Sequence, residues 1–129
     1  MQLTIGYKTY DLHFGLEFLR VVEERESPQI DIDGQKVGMN FNGLMMLRMR
    51  LEAYSPLALS TVIKAGTALE NQKPSNREIE EYIEQLAVDG GFQETVDQVL
   101  DEMGKQPLLN VNTKDANKDG KKLQLANKK

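Results

Sequence analysis

Residues 74–91, PSNREIEEYIEQLAVDGG, carry the clearest helix signal in the chain and decide its fold class. Ser75 and Glu78 have the spacing of a capping box, in which each side chain accepts a hydrogen bond from a free backbone N–H at the helix start. Apolar residues then recur at the three- and four-residue spacing of one helix face: Ile79, Tyr82, Ile83, Leu86 and Ala87. Gly90 and Gly91 predict where this helix ends.

Four other segments show the same helical period, at 14–27, 42–55, 55–71 and 92–107. Ser55 and Pro56 are typical of a helix start, because serine caps the first turn and proline fits its first position. Gly66 lies inside the same segment, where glycine costs roughly 1 kcal/mol relative to alanine. We therefore expect a close approach or a bend at Gly66.

Residues 2–14 predict a β-hairpin instead, because apolar and polar residues alternate on either side of Gly6. Residues 29–40 are ambiguous: Asp33-Gly34 is typical of a hairpin turn, but the segment also fits an ordered loop. The expected fold is therefore α+β and mainly α, with an N-terminal hairpin, four to five helices and a disordered C-terminal tail. We expect one helical domain over residues 1–108 and a flexible basic tail over residues 109–129.

Charge is distributed unevenly along the 129 residues. Residues 113–129 hold six lysines and two aspartates, a net +4, whereas residues 1–112 hold ten basic and eighteen acidic side chains, a net −8. An acidic body matches phosphate backbones poorly, so we expect no nucleic acid partner. No apolar run approaches the roughly 20 residues of a membrane helix, and the first residues lack the pattern of a signal peptide. These features predict a cytoplasmic protein without a membrane partner.

Few residues suggest catalytic or metal chemistry. The chain has no cysteine and a single histidine, His13, with no obvious acid partner nearby in sequence. Residues 115–120, DANKDG, resemble the start of an EF-hand calcium loop, but the twelfth position, which needs a glutamate, is Ala126. We therefore expect no metal, no cofactor and no enzymatic activity.

Residues 39–49 contain four of the six methionines of the chain. Methionine fills irregular gaps in cores, and it is also frequent on surfaces that adapt to several partners. Both interpretations fit these methionines. In the helical segment 42–55, Leu44, Leu47, Leu51 and Tyr54 form the predicted core stripe, and Met45 and Met49 widen it.

The order of several segments resembles the tail assembly chaperones of long-tailed phages and prophages of Gram-positive bacteria. The segments are LTIGYKTYDL (3–12), FGLEFLRVVEE (14–24), VGMNFNGLMMLRMRLEAYSPLALSTVIKAGTALENQKPS (37–75) and SNREIEEYIEQL (75–86). The resemblance covers roughly residues 1–105 and supplies no catalytic residues.

The resemblance implies that the chain binds the tape measure protein, a long helical polypeptide, and keeps it soluble until tail tube subunits polymerise around it. It also implies action in the host cytoplasm and absence from the mature virion. Further partners that it suggests are the tail tube protein, a frameshifted long form of the chain and a second copy of the chain. The residues we expect to contact a partner are Met39, Phe41, Leu44, Met45, Met46 and Met49. The alternative function is a small tail-completion or head–tail adaptor protein that stays in the virion.

Overall fold

The computed structural model describes residues 1–26, 29–38 and 43–110. Ten elements follow one another along these ranges: β1 (Gln2–Ile5), β2 (Lys8–Asp11), α1 (Leu16–Glu26), β3 (Gln29–Ile32), β4 (Gln35–Gly38), α2 (Gly43–Glu52), α3 (Pro56–Gly66), α4 (Asn76–Asp89), α5 (Phe92–Gly104) and a 3-10 turn (Leu108–Asn110). The predicted N-terminal hairpin and helix-dominated α+β fold are confirmed. The predicted tail lies outside the described residues from position 111 onward, so its expected disorder stays a prediction.

The N-terminal hairpin pairs β1 with β2 in antiparallel register, with Leu3 opposite Tyr10. Gly6 takes the positive φ (66°) that the two-residue turn requires. Leu3, Ile5 and Tyr10 point into the core, as the alternation predicts. One face of the hairpin is therefore covered by helices, which is what a two-stranded sheet needs to be stable.

A second hairpin joins β3 to β4, which resolves the ambiguity over residues 29–40 in favour of a hairpin up to Gly38. Asp33 and Gly34 both have positive φ, at 52° and 81°. Two successive positive φ values define a type I′ turn, whose twist matches that of the paired strands.

Helix α3 is the centre of the fold, because seven of its eleven residues are buried. It contacts α1, α2 and α4, while α5 contacts α2 and α4. At its C-terminal end Gly66 meets the hairpin: its carbonyl accepts the backbone N–H of His13, and a Cβ there would lie 2.9 Å from Leu12 Cδ2. The close approach expected at Gly66 is therefore present.

Helix α4 begins and ends where the sequence predicts. Ser75 Oγ accepts the backbone N–H of Glu78, the Glu78 carboxylate accepts the backbone N–H of Ser75, and Gly90 caps the helix in the left-handed conformation. Only Ile79 is fully buried on α4, whereas Tyr82, Ile83 and Leu86 stay partly exposed. The apolar face of α4 is therefore incompletely covered by the rest of the described fold.

Leu109 is fully buried, and the 3-10 turn that carries it contacts α5. The packed part of the chain thus includes the turn. The division into a domain at 1–108 and a tail at 109–129 remains a prediction.

Candidate partner-binding surface

Two methionines of α2 face outward and form the candidate surface. Met45 is 53% exposed and Met49 is 58% exposed. They are four residues apart, so they lie one turn apart on the same side of the helix. Met46 is half-buried beside them. We call Met45 and Met49 the methionine surface.

The opposite side of α2 is core, because Leu44, Leu47 and Leu51 are buried. Of the partner-binding residues expected from the sequence, Leu44 therefore lies behind the methionine surface, among core residues. Met39 and Phe41 lie outside the described residues. The interpretation of the methionines as core is wrong for Met45 and Met49, because the stripe of three leucines already fills the space that α2 offers to its neighbours. Tyr54 follows the end of α2 with a φ of 57° and donates a hydrogen bond to Asp97 at 2.9 Å.

Three polar contacts hold α2 in position beneath the methionine surface. Arg50 Nη1 donates to both carboxylate oxygens of Glu26 at 2.6 Å, which joins α2 to the end of α1. The backbone N–H of Gly43 donates to Glu23 Oε1 at 3.0 Å. Arg48 Nη2 donates to the Leu109 carbonyl and to Asn110 Oδ1, both at 3.0 Å, which joins α2 to the 3-10 turn. A surface on a helix held from both sides loses less conformational entropy when a partner binds.

Burial lowers the pKa of Arg48, with Glu52 opposing that effect. Arginine keeps its charge at physiological pH nevertheless, since its ordinary pKa lies above 12. Arg48 therefore remains a charged, hydrogen-bonded cross-link between α2 and the end of the packed chain.

A second surface feature, which the sequence analysis did not identify, is a groove between α3 and α4 that continues to the start of α5. Its two parts have volumes of about 530 and 470 Å³ and share Pro56, Ile83 and Glu84. Leu57, which is 71% exposed, lines the first part, and Phe92 lines the second. We call this feature the α3–α4 groove. Leu57 lies off the apolar stripe of α3, which contains Leu59, Val62 and Ile63, and this position is the sequence signal for an exposed leucine here.

His13 lies at the surface, and its Nε2 is 3.5 Å from Glu70 Oε1. This pair has no local signal in the sequence, because the loop after α3 brings Glu70 to the end of the hairpin. Among the side chains that the structure describes, in residues 1–26, 33–34 and 43–110, no three His, Asp or Glu groups lie closely enough to hold a metal ion. None of the described helices is long and apolar enough to cross a membrane.

Comparison with known proteins identifies the family. Neither the curated proteins nor the solved structures gave a match to the chain. A family model described as phage tail assembly chaperone protein (TAC) matches residues 2–118, a range that contains every element described above. The match confirms the resemblance found in the order of the sequence segments. The chain therefore belongs to the phage tail assembly chaperone family.

Proposed function

We propose that this protein is a non-enzymatic chaperone that binds the tape measure protein in the host cytoplasm and keeps it soluble until the tail tube forms. Family membership supports a role in phage tail assembly. The observation that carries the finer proposal is the exposure of Met45 and Met49 on a helix that is otherwise packed into the core.

The physical reason lies in the chemistry of the client. A long amphipathic helix exposes an apolar stripe until another surface covers it. Unbranched methionine side chains adapt to stripes of varied shape, which suits a client with many similar but unequal segments. The contact that we propose is therefore apolar and adaptable, and it involves no covalent step.

The methionine surface alone is too small for a stable complex. Met45 and Met49 are only two side chains, each about half exposed, whereas a stable interface buries about 800 Å² and roughly 20–30 residues on each partner. The interface therefore has to extend beyond α2 or to be repeated. Residues 39–42 lie next to α2 in sequence, and Met39 and Phe41 are the proposed extension. Several copies of the chaperone along one tape measure protein would add avidity without new contacts.

The proposal is tested with Met45→Gln/Met49→Gln in the full chain. Fully burying one methionine side chain contributes about 1.5–3 kcal/mol, so burying these two half-exposed ones contributes about 1.5–3 kcal/mol together, before the costs of association. We expect affinity for a tape measure fragment to fall by about ten- to a hundredfold, which corresponds to roughly 1.4–2.8 kcal/mol. The control, Leu16→Gln/Leu69→Gln, removes two apolar residues that are 72% and 67% exposed elsewhere on the fold.

Binding that is lost equally in both double variants would contradict the assignment of the surface to α2.

The fate of the protein after assembly is a separate question, which mass spectrometry of purified virions answers. Absence of the chain from the virion supports a chaperone, whereas stoichiometric presence supports a tail-completion or adaptor subunit.

A further inference from the structure

We propose that the α3–α4 groove is a second interaction surface and that it binds the chain's own basic C-terminal segment. This segment is residues 121–129, KKLQLANKK, and it carries two leucines between two pairs of lysines. The contact is independent of the proposed client, because it is made within one chain.

The groove offers acidic groups to such a segment. Glu80 and Glu84 lie on its α4 wall and Lys64 on its α3 wall, so its lining carries a net charge of −1. Within the described residues, neither glutamate has an ion-pair partner, whereas the neighbouring Glu81 is paired with Arg77. Two carboxylates are therefore available to a cationic segment.

The apolar part of the groove suits the two leucines. Leu57 and Pro56 form one wall and Ile83 and Ala87 the other, with Phe92 at the end. Leu123 and Leu125 are separated by one residue, so in an extended segment both point to the same side. The lysines on either side of them keep their charged ends in water while their aliphatic stems lie along the rim of the groove.

Residues 111–120, which connect the described chain to the basic segment, can span the distance to the groove. The described chain ends at Asn110, which bonds to Arg48 near the C-terminal end of α5. The groove begins near Phe92, at the other end of α5, about 20 Å away at 1.5 Å per helical residue. Residues 111–120 span up to roughly 33 Å when extended, so residues 121–129 reach the groove without any change in the fold.

The test uses a nitroxide spin label on the full chain. The chain contains no cysteine, so Ala126→Cys gives a single labelling site. Paramagnetic broadening of backbone amide signals then reports which part of the surface lies near the label. We expect the amides of Leu57, Ile83 and Ala87 to lose intensity, while those of Met45 and Met49 do not.

The electrostatic part is tested with Glu80→Gln/Glu84→Gln. Losing two exposed ion pairs lowers the equilibrium constant of the bound form by about two- to thirtyfold, so broadening at the groove should weaken. The control, Glu24→Gln/Glu52→Gln, removes the same charge from α1 and α2 and should leave the broadening unchanged. Raising salt from 0.01 to 1 M, which shortens the Debye length from about 30 to about 3 Å, should also weaken it.

Broadening spread evenly over all exposed elements would overturn the proposal. So would equal loss of broadening in the acidic-groove variant and its control. A mixture of isotope-labelled chain without nitroxide and unlabelled chain with nitroxide identifies the source of the segment. Broadening that is as strong in this mixture as in a chain carrying both the isotope and the nitroxide shows that the segment comes from a second copy, which contradicts the contact within one chain.

Discussion

The ion pair between Glu26 and Arg50 leads to the sharpest stability prediction, because it holds α2 against α1. The Glu26 side chain is only 3% exposed, whereas that of Arg50 is 34% exposed. Both carboxylate oxygens accept from the same guanidinium nitrogen. Replacing Arg50 by methionine keeps the aliphatic length but leaves the Glu26 carboxylate buried without this partner.

The expected magnitude follows from this burial. Breaking a fully buried pair by removing one partner costs about 3–5 kcal/mol. Water already reaches a third of the Arg50 side chain, so we expect a smaller loss of roughly 2–3 kcal/mol for Arg50→Met. Glu26→Gln keeps the shape and removes the charge, so it should cost about 1 kcal/mol.

The assay is urea unfolding followed by circular dichroism. A loss of 2–3 kcal/mol lowers the urea midpoint by on the order of 1 M or more, at a slope of roughly 1–3 kcal/mol per M. Glu26→Gln/Arg50→Met no longer contains an unpaired buried carboxylate. The free energy of unfolding of the double variant should therefore fall by about 1 kcal/mol less than the sum of the losses in the two single variants. A loss under about 0.5 kcal/mol for Arg50→Met, the range of ordinary surface substitutions, would show that the Glu26–Arg50 pair does not stabilise the packing of α2 on α1.

Three further predictions concern single positions. A Cβ on Gly43 would lie 3.0 Å from the Glu23 Cα, so Gly43→Ala should lower the free energy of unfolding by about 1–3 kcal/mol in urea. The control is Gly104→Ala, which has open space around the added Cβ and should not destabilise the protein. Equal effects of the two substitutions would contradict the close packing of α1 and α2. Ser75→Ala removes the α4 cap and should cost about 1 kcal/mol, which an unchanged thermal midpoint would exclude. Burial raises the pKa of Tyr82 above its ordinary value, so the stability that this group contributes is retained below pH 10 and lost as pH rises through the raised pKa. Tyr82→Phe should therefore lose less stability at alkaline pH than the parent chain. An equal loss in the two proteins would contradict the contribution of Tyr82.

Local sequence signals predicted the helices and turns well, because their causes are local. The capping box at Ser75 and the left-handed cap at Gly90 act within one helix. Gly6 and the Asp33-Gly34 pair set their hairpin turns through their own backbone freedom. In each case the residues that determine the conformation are neighbours along the chain.

Burial was predicted less well where it depends on a distant partner. Glu26 looks like a solvated residue at the end of a charged helix, but Arg50 from α2 makes its burial possible. The helical period of residues 14–27 places Leu16 on the same apolar face as Leu19 and Val22, but Leu16 begins the helix and is 72% exposed. The exposure of Met45 and Met49 depends on which side of α2 its neighbours cover, and periodicity alone does not determine that side.

The α3–α4 groove could not be predicted from the sequence for a similar reason. Its walls come from two helices separated by a loop, and its depth depends on how closely they approach. Exposed Leu57 and half-buried Ile83 belong to different periodic patterns, and only the packing of α3 against α4 brings them together.

Co-expression shows whether this family member binds a tape measure protein and keeps it soluble, as we propose. The tape measure protein of the same phage or prophage is expressed alone, with this chain, and with Met45→Gln/Met49→Gln, and its soluble fraction and co-purification are measured. We expect an insoluble tape measure protein when it is expressed alone, a soluble complex with the parent chain, and reduced recovery with the double variant. A tape measure protein that neither co-purifies with the parent chain nor gains solubility from it would contradict the proposed function.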